Sequence, residues 1–328
     1  MMKIHWRFLP ILTLLLGGDG LNLAAADGVP QAATNAAAFC PGANFGRLDD
    51  GDITVAFDLT RGGAIAGIAI SGSARNLVNV SDEGRYIQQS YYAGHRLYRK
   101  AEGQAPNWSP WPWNPIQVGD AFGHRARLLT HTNDARLFYT KCIPMLWDMN
   151  NQPAEADMEQ WTSLRGRCLH VRSRLSCHRT ADPYGEGVEN SQEMPAVYPI
   201  SALSRLYTYR GDKPFQNEAL ENLAVVNLAS GFWGTYDHVS EHWMAFVDDQ
   251  NRGLAVYNPQ CTNFLAGRSG NPGGETKDAS TSYIAPVKGS VLMKNSVFEF
   301  NYDIVVGTLD QIRSEIYRLH DSRSAATN

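Results

Sequence analysis

The sequence lacks the short motifs that identify several common enzyme classes. It contains no GxSxG elbow, no HExxH pair, no Walker loop and no Rossmann glycine pattern after a strand. These motifs carry the serine nucleophile of α/β-hydrolases, the paired histidines of zinc proteases and the phosphate-binding backbone of nucleotide-binding proteins. Serine hydrolase, zinc protease and nucleotide chemistry are therefore disfavoured.

Patterns for binding metals and nucleic acids are also missing. The cysteines and histidines form no CxxC pair and no cluster with zinc-finger spacing, so neither a metal nor another cofactor is predicted. The net charge is -4, and the lysines and arginines are scattered rather than gathered into a basic stripe. Nucleic acid is therefore not an expected partner.

The sequence has no apolar run long enough to span a membrane. The run at residues 8–16 is about nine residues long, roughly half of what a spanning helix needs. It follows the basic residues Lys3 and Arg7 and precedes three alanines at 24–26, the pattern of a cleavable secretory signal. We therefore predict a signal peptide over residues 1–26 and a secreted or periplasmic mature chain without a membrane span.

Cysteine is scarce, with five residues in the chain. In an oxidising compartment one or two disulfides would be allowed, and an odd count leaves one thiol unpaired in a monomer. Cys168 and Cys177 could close a hairpin, but a strand through both directs their side chains to opposite faces. The sequence makes no prediction of the pairing or of the oligomeric state.

Short alternating or β-branched runs separated by turn residues fill the chain from Asp52 onward. Examples are ITVAFDL, AIAGIAI, WMAFVDD and VFEFNYDIVVG. This pattern predicts a mostly β protein, a β-sandwich of the supersandwich or jelly-roll type. We assign residues 27–50 to an N-terminal extension and residues 51–328 to a single sandwich domain, large enough to bury a sizeable core.

Helix is predicted only near the C-terminus. Apolar residues recur at helical spacing over residues 309–319, and Thr308 before them is the predicted N-cap. Two segments, 101–120 and 266–282, read as long loops, and long loops in a compact domain tend to be functional or disordered. The first of them is rich in tryptophan, which favours a functional role.

The run RYIQQSYY carries polar side chains on both faces of a predicted strand. Alternation groups Arg85, Gln89 and Tyr91 on one face and places Tyr92 on the other. Such a strand suits a sheet face that forms a groove for a polar ligand. The alternative is an internal network of tyrosine and glutamine side chains that satisfy one another.

A second candidate lies in a hairpin predicted from DMEQWTSL and CLHVRSRL, which Gly166 joins. His170, Arg172 and Arg174 share one face of its second strand, and this cationic face could hold ligand carboxylates or hydroxyls. The alternative is a solvated outer face with charge pairs to Glu159 or its neighbours.

The loop NWSPWPWNP forms a third candidate. Its tryptophans Trp108, Trp111 and Trp113, with the neighbouring Asn114, lie on a proline-stiffened segment. Indole rings suit stacking on the apolar faces of pyranose sugars. The alternative is that these rings cap the end of the hydrophobic core.

Carboxylates form the last set, because hydrolysis of a glycosidic bond uses two of them. Glu193 and Glu241 are the best pair, since each begins an apolar strand where burial can raise its pKa. A separation of about 5 Å would suit a retaining mechanism and about 6.5–9.5 Å an inverting one. Further candidates for sugar contact or proton transfer are Tyr198, His242, Trp243, Glu159, Asp248, His95 and His124.

The segment GGAIAGIAISGSARNLVNVSDEGRYIQQSYY resembles the opening of galactose-mutarotase-like supersandwich proteins. The closing VFEFNYDIVVGTLDQIRSEIY is similar to the last strand and trailing helix of several sugar-acting β-sandwich proteins. The resemblance implies a sandwich fold and a carbohydrate ligand. It does not extend to the family's catalytic histidine motif, so simple mutarotation is not the first hypothesis.

Three hypotheses follow. The first is a secreted carbohydrate-active enzyme that cleaves glycosidic bonds with Glu193 and Glu241 as acid and base. The second is a polysaccharide lyase in which Arg172 or Arg85 neutralises a uronate carboxylate and Tyr91, Tyr92 or His124 abstracts the α-proton. The third is a carbohydrate-binding protein without catalytic activity.

Overall fold

The computed structural model describes residues 40, 42–108 and 110–327. The predicted signal peptide lies outside this range. Within it the chain forms two large antiparallel sheets, a two-stranded pair and one α-helix, and no helix is both long and apolar enough to cross a membrane. The first strand precedes residue 51, where the sequence suggested that the domain begins.

Most of the strands are short, as the repeated turn signals predicted. In chain order they are β1 (Phe45–Asp49), β2 (Ile53–Asp58), β3 (Ala64–Ile70), β4 (Ile87–Ser90), β5 (Ala93–Leu97), β6 (Trp111–Trp113), β7 (Pro115–Ile116), β8 (Arg127–Asn133), β9 (Leu137–Ile143), β10 (Met145–Leu146), β11 (Ala156–Arg165), β12 (Cys168–Cys177), β13 (Glu189–Val197), β14 (Arg205–Thr208), β15 (Glu221–Leu223), β16 (Gly234–Tyr236), β17 (Trp243–Val247), β18 (Arg252–Tyr257), β19 (Asn263–Ser269), β20 (Thr281–Val291) and β21 (Val297–Thr308). The longer strands β11, β12, β20 and β21 have ten to twelve residues each. Three short 3-10 turns cover Lys100–Glu102, Pro106–Trp108 and Leu228–Ser230.

The two large sheets face each other. The first sheet has the order β1-β2-β3-β4-β13-β20-β19-β16, with β7 against β4 and β10 against β7. The second has the order β15-β14-β17-β18-β21-β12-β11-β9-β8, and β5 pairs with β6. The protein is thus a mostly β sandwich with a C-terminal helix, as predicted.

Alternation along the strands builds the core between the sheets. In β12, Leu169, Val171 and Leu175 point into the core while His170 and Arg172 point outward, as the pattern predicted. The same period holds in β2 and β21, whose inward residues join one continuous apolar cluster. Each sheet therefore keeps a second, outer face on which polar groups can gather.

The helix α1 (Leu309–Thr327) covers part of the outer face of the second sheet. Its start is confirmed: the amide of Gln311 donates to Thr308 Oγ1 at 3.3 Å and the Thr308 amide donates to Gln311 Oε1 at 3.0 Å, a capping box. Ile312 and Ile316 pack on Trp243 beneath the helix. The helix runs beyond residue 319, the predicted end.

Three local predictions differ from the structure. All five cysteines are buried free thiols, so the disulfides that the sequence allowed are not formed. Cys168 and Cys177 begin and end β12, which separates them by roughly 30 Å at about 3.3 Å per strand residue. The predicted loop 101–120 contains β6 and β7, and the ends of 266–282 belong to β19 and β20.

A buried aspartate anchors the tryptophan-rich segment. Asp148 Oδ2 accepts a hydrogen bond from Gln104 Nε2 at 2.5 Å, and its carbonyl accepts one from the Ala105 amide at 2.8 Å. Burial raises the pKa of Asp148 to about 6, although the Gln104 bond opposes the rise. The native carboxyl therefore keeps a proton that the unfolded chain has lost, and its contribution to stability falls as the pH rises from about 4 to about 6.

Asp148→Asn should remove this pH dependence. The wild type should lose stability as the pH rises from 4 to 7, whereas the variant should not. We therefore expect the difference in free energy of unfolding, variant minus wild type, to rise by roughly 1–3 kcal/mol over this range in urea titrations. Asp134→Asn is the control, because backbone hydrogen bonds from Leu137 and Arg136 lower the pKa of Asp134 below its usual value. Its contribution to stability therefore changes below about pH 4, and the relative stability of this variant should stay nearly constant over the same range. A pH-independent difference for Asp148→Asn would contradict this role.

Candidate functional site

The candidate site lies on the outer face of the first sheet, where β4, β13 and β20 run side by side. Glu193 of β13 pairs in register with Ser90 of β4 and with Val287 of β20. Tyr283 lies four residues from Val287 and so shares its face. The pairing of β13 shifts register after Glu193, and such irregularities occur next to active sites, where they redirect a side chain.

Three hydroxyls surround the Glu193 carboxylate. The Tyr283 hydroxyl donates to Glu193 Oε1, and the hydroxyls of Ser90 and Tyr92 also hydrogen-bond to the carboxylate. The Ser90 and Tyr92 oxygens are 3.4 Å apart. Glu193 and Tyr92 remain partly exposed whereas Tyr283 is fully buried, so this glutamate–tyrosine cluster is open to solvent on one side.

Burial controls the protonation of the cluster. It raises the pKa of Glu193, and the hydrogen bonds from Tyr283, Ser90 and Tyr92 only partly oppose the rise. The pKa of Tyr92 and that of Tyr283 are raised well above the usual range by burial and by the neighbouring Glu193 charge. A carboxylate with a raised pKa beside tyrosines that keep their protons can both accept and donate a proton.

Aromatic rings border the cluster. Tyr283 lies 4.5 Å from the Trp233 ring in a stacked arrangement and 4.9 Å from the Tyr198 ring, measured between centroids. The guanidinium of Arg85 lies 5.4 Å from the Tyr198 centroid, and its Nε is 3.5 Å from Asp82 Oδ2. This side of the site therefore offers a cation next to stacked rings.

On the other side, an aromatic row leads from the cluster to the tryptophan-rich segment. Tyr92 contacts Trp111 at 6.5 Å between centroids, Trp111 contacts Trp108 at 4.8 Å, and Trp108 contacts Trp147 at 5.9 Å. Trp108 and Trp147 are partly exposed. A surface with ring faces beside hydroxyls suits a sugar, which presents both apolar faces and hydroxyl groups.

Some of the residues predicted from the sequence meet here. The structure brings together Glu193, Tyr92, Tyr198, Arg85 and Trp111. Sequence reasoning missed Ser90, Trp233 and Tyr283. The run that holds Tyr283 is an ordinary strand pattern, and only its pairing with β13 brings the tyrosine to Glu193.

The prediction that Glu193 and Glu241 act as a pair is wrong. Glu241 is buried on the outer face of the second sheet, where Arg313 and Tyr317 of α1 bind it. Glu193 lies on the opposite outer face, and the spacing of about 10 Å between packed sheets alone exceeds the separation of an inverting pair. Trp243 is wholly buried beneath α1, and His242 binds the Cys261 carbonyl, so neither reaches the cluster.

The prediction that Glu159 and Arg172 bind substrate in the groove is also wrong. Both point outward from the second sheet, because they occupy alternate positions to the core residues of β11 and β12. Arg172 pairs with Glu299 at 3.0 Å, and Glu159 accepts a hydrogen bond from the Tyr139 hydroxyl at 2.6 Å. This surface is therefore the solvated outer face with charge pairs that the sequence offered as the alternative for the hairpin.

Four other predicted residues are interior. The Tyr91 hydroxyl donates to Gln89 Oε1 at 2.7 Å, and Gln89 Nε2 donates to the Glu159 carbonyl at 3.0 Å between the sheets. Trp113 belongs to the core, and Asn114 donates to the Tyr91 carbonyl at 2.7 Å. Tyr91, Gln89 and Asn114 thus belong to an internal hydrogen-bond network and Trp113 to the core, as in the alternatives that the sequence left open. The prediction of a catalytic role for Tyr91 is wrong, because its hydroxyl lies in the interior.

His124 occupies a loop after β7. Its Nδ1 lies 2.9 Å from Asp120 Oδ2, and its amide donates to Asp120 Oδ1 at 2.9 Å. Asp120 is buried and also accepts from the Asn151 amide at 2.8 Å. The carboxylate thus organises this loop, and the His124 ring is held as part of that turn rather than against Glu193.

Comparison by sequence finds no counterpart. No family model matches the chain, and no curated protein matches it.

Solved structures of other proteins align with much of the chain at low identity. A galactose mutarotase related enzyme of Lactobacillus acidophilus is 11% identical, with 80% of this chain and 97% of that chain covered at a TM-score of 0.46. An α-galactosidase of Geobacillus stearothermophilus is 11% identical, with 82% and 41% covered at 0.45. A heparan sulfate lyase of Pedobacter heparinus is 9% identical, with 81% and 35% covered at 0.38. Similarity at this level transfers no site residue to this chain.

Proposed function

We propose that this protein is a carbohydrate-active enzyme whose proton-transfer group is Glu193, and that it is a polysaccharide lyase acting on uronate-containing polymers. The observation that carries the proposal is one partly exposed carboxylate held among hydroxyls, with Arg85 on one side and an aromatic row on the other. Cleavage by β-elimination needs one base, one acid and a cation for the uronate carboxylate, and this set supplies all three.

Each residue has a distinct role in the proposed reaction. Glu193 removes the proton from the carbon next to the uronate carboxylate, whose charge Arg85 neutralises. A carbon–carbon double bond forms as the bond to the leaving glycosidic oxygen breaks, and Tyr92 donates its proton to that oxygen. Because Tyr92 and Glu193 are hydrogen-bonded, the proton on Glu193 can return to Tyr92 and restore the starting state. The raised pKa of Tyr92 keeps its hydroxyl protonated for this step.

The aromatic row supports a polymer rather than a single sugar. The rings of Trp111, Trp108 and Trp147 extend from the cluster in successive contacts. Trp111 is buried and joins the cluster to the partly exposed rings of Trp108 and Trp147. These two exposed rings can stack with sugar units beyond the one whose bond is broken at Glu193. Hydrolysis by the Glu193 and Glu241 pair is not supported, because Glu241 belongs to a different surface.

A polymer panel tests the reaction. The purified protein is incubated with alginate, pectate and glucuronan while ultraviolet absorbance of unsaturated ends and release of reducing ends are followed together. We expect both signals to rise in parallel on at least one polymer. Reducing ends without absorbance would overturn elimination in favour of hydrolysis, and neither signal would overturn activity on this substrate class.

Tyr92→Phe tests the acid. We expect kcat to fall by about 100-fold to 10,000-fold, because the leaving oxygen loses its proton donor while the ring stays in place. Tyr98→Phe is the matched control, since Tyr98 is 66% exposed and lies outside the cluster. An unchanged kcat for Tyr92→Phe would remove Tyr92 from the mechanism.

We also propose that the protein is exported, on the strength of its N-terminal pattern. Expression of the full chain in a bacterium, followed by N-terminal sequencing of the periplasmic or extracellular fraction, tests this. The expected start is close to residue 27, and an intact start in the cytoplasm would contradict export.

A further inference from the structure

Cys168, His170 and Asp303 gather at the edge of the area that α1 covers on the second sheet. Cys168 and His170 are two residues apart on β12 and therefore share a face, and Asp303 is the register partner of His170 on β21. Their sulfur, nitrogen and oxygen atoms all lie within 4.8 Å of one another. We propose that this thiol–imidazole–carboxylate cluster binds one divalent cation of the zinc class.

The donor atoms converge on one point. His170 Nδ1 lies 3.9 Å from Cys168 Sγ and 2.5 Å from Asp303 Oδ1. With zinc bonds of about 2.3 Å to sulfur and about 2.0–2.2 Å to nitrogen and oxygen, tetrahedral ligands lie roughly 3.3–3.6 Å apart. The first distance exceeds that range and the second falls short of it, each by less than 1 Å, and the Cys168 sulfur lies no more than 4.8 Å from the Asp303 oxygen. Rotations of the three side chains would bring their donor atoms to zinc distances.

The surroundings suit a bound cation. Cys168 and Asp303 are fully buried, whereas the His170 side chain is 31% exposed, which leaves a coordination position open toward solvent. Arg323 donates to Asp303 Oδ2 at 2.5 Å and leaves Oδ1 facing His170. A hydrogen bond to the second oxygen of a metal-binding carboxylate is the usual arrangement that orients it. The mixed sulfur, nitrogen and oxygen donors favour zinc over calcium or magnesium, which take oxygen ligands.

The same three residues do not form a nucleophilic triad. In such a triad the two ring nitrogens of the histidine serve different partners, one the nucleophile and the other the carboxylate. Here Cys168 and Asp303 both approach Nδ1, and the thiol is buried. The geometry is convergent, which fits ligation of an ion and not relay of a proton. This inference is independent of the proposed lyase function, since the cluster lies on the other sheet.

Metal titration of the full protein tests the proposal. Chelator-treated protein is titrated with zinc against a chromogenic competitor, and with cobalt while the thiolate-to-cobalt absorption band is followed. We expect one ion per chain, the thiolate band, and a rise in Tm with zinc. Cys168→Ser and His170→Gln should each weaken zinc binding by at least about tenfold, with loss of the band for Cys168→Ser.

Cys177→Ser is the matched control, because Cys177 is an equally buried free thiol at the other end of β12. Circular dichroism checks that each variant is folded, and Asp303→Asn provides a further ligand variant if one of the others is not. Zinc binding that is absent from the wild type, or unchanged in the folded ligand variants, would overturn the proposal.

Discussion

Replacing Glu193 by glutamine is expected to lower kcat by about 1,000-fold or more while substrate binding is retained. Glutamine keeps the size of the side chain and an oxygen that can accept from Tyr283, so the hydroxyl arrangement around it survives. It cannot accept a proton from the sugar carbon. Single-turnover kinetics and a separate binding assay with the same polymer distinguish the two effects.

The control for this variant is Glu299→Gln. Glu299 is the same residue type, lies on the outer face of the second sheet and pairs with Arg172 and Arg174. We expect its kcat to stay at the wild-type value. If Glu193→Gln and Glu299→Gln had equal activity, Glu193 would not be the proton-transfer group, and retained binding by both would favour a non-catalytic carbohydrate-binding role.

The pH profile gives a second measure of the same group. Because burial raises the pKa of Glu193, the acidic limb of kcat/KM should lie above the ordinary glutamate value of 4.5. Activity should fall as the pH drops through this raised pKa, since the base becomes protonated. The raised pKa also means that the charged form costs stability, so Glu193→Gln should not destabilise the fold at neutral pH.

The fold could be predicted because its signals are local. Alternation in β2, β12 and β21 separates core from outer residues, and Thr308 marks the start of α1 through a capping box that occupies four consecutive residues. Such signals need no knowledge of which strand pairs with which. The same alternation along β12 predicted that His170 and Arg172 point away from the core.

The site could be predicted only in part, because it depends on pairing between distant strands. Ser90, Glu193 and Tyr283 meet through the adjacency of β4, β13 and β20, which nothing local encodes. Glu193 and Glu241 carry the same local signal, a carboxylate before an apolar strand beside aromatic residues. Glu193 lies on the first sheet and reaches solvent, whereas Glu241 lies on the second sheet, where α1 covers it. This difference depends on sheet membership and on the position of the helix, which the local sequence does not encode.

Glu241 should instead prove to be a stability residue. Its Oε1 accepts from the Phe215 amide at 2.9 Å and the Tyr317 hydroxyl at 2.6 Å and pairs with Arg313 at 3.3 Å, while Oε2 accepts from Trp243 Nε1 at 3.0 Å. This one buried carboxylate ties the second sheet to α1 and to the segment after β14. Removing it leaves the Arg313 charge and three donors without their acceptor in a water-poor region.

We therefore expect Glu241→Ala to lower the free energy of unfolding by about 3–5 kcal/mol, the usual cost of removing one partner of a buried ion pair and leaving the other charge uncompensated. Glu241→Gln, which keeps the volume and one acceptor oxygen, should cost about 1–3 kcal/mol. Urea unfolding followed by tryptophan fluorescence measures both. The folded fraction of Glu241→Gln should keep wild-type kcat.

Substitution by glutamine is therefore expected to have opposite effects at Glu193 and at Glu241. Glutamine at 193 should remove activity and leave stability unchanged, whereas glutamine at 241 should lower stability and leave activity per folded molecule unchanged. The reverse result would mean that the catalytic surface is the face covered by α1, where Arg313 and Tyr317 would then have to release the carboxylate before any substrate could reach it. The two variants, measured side by side, therefore decide which outer face of the sandwich carries the chemistry.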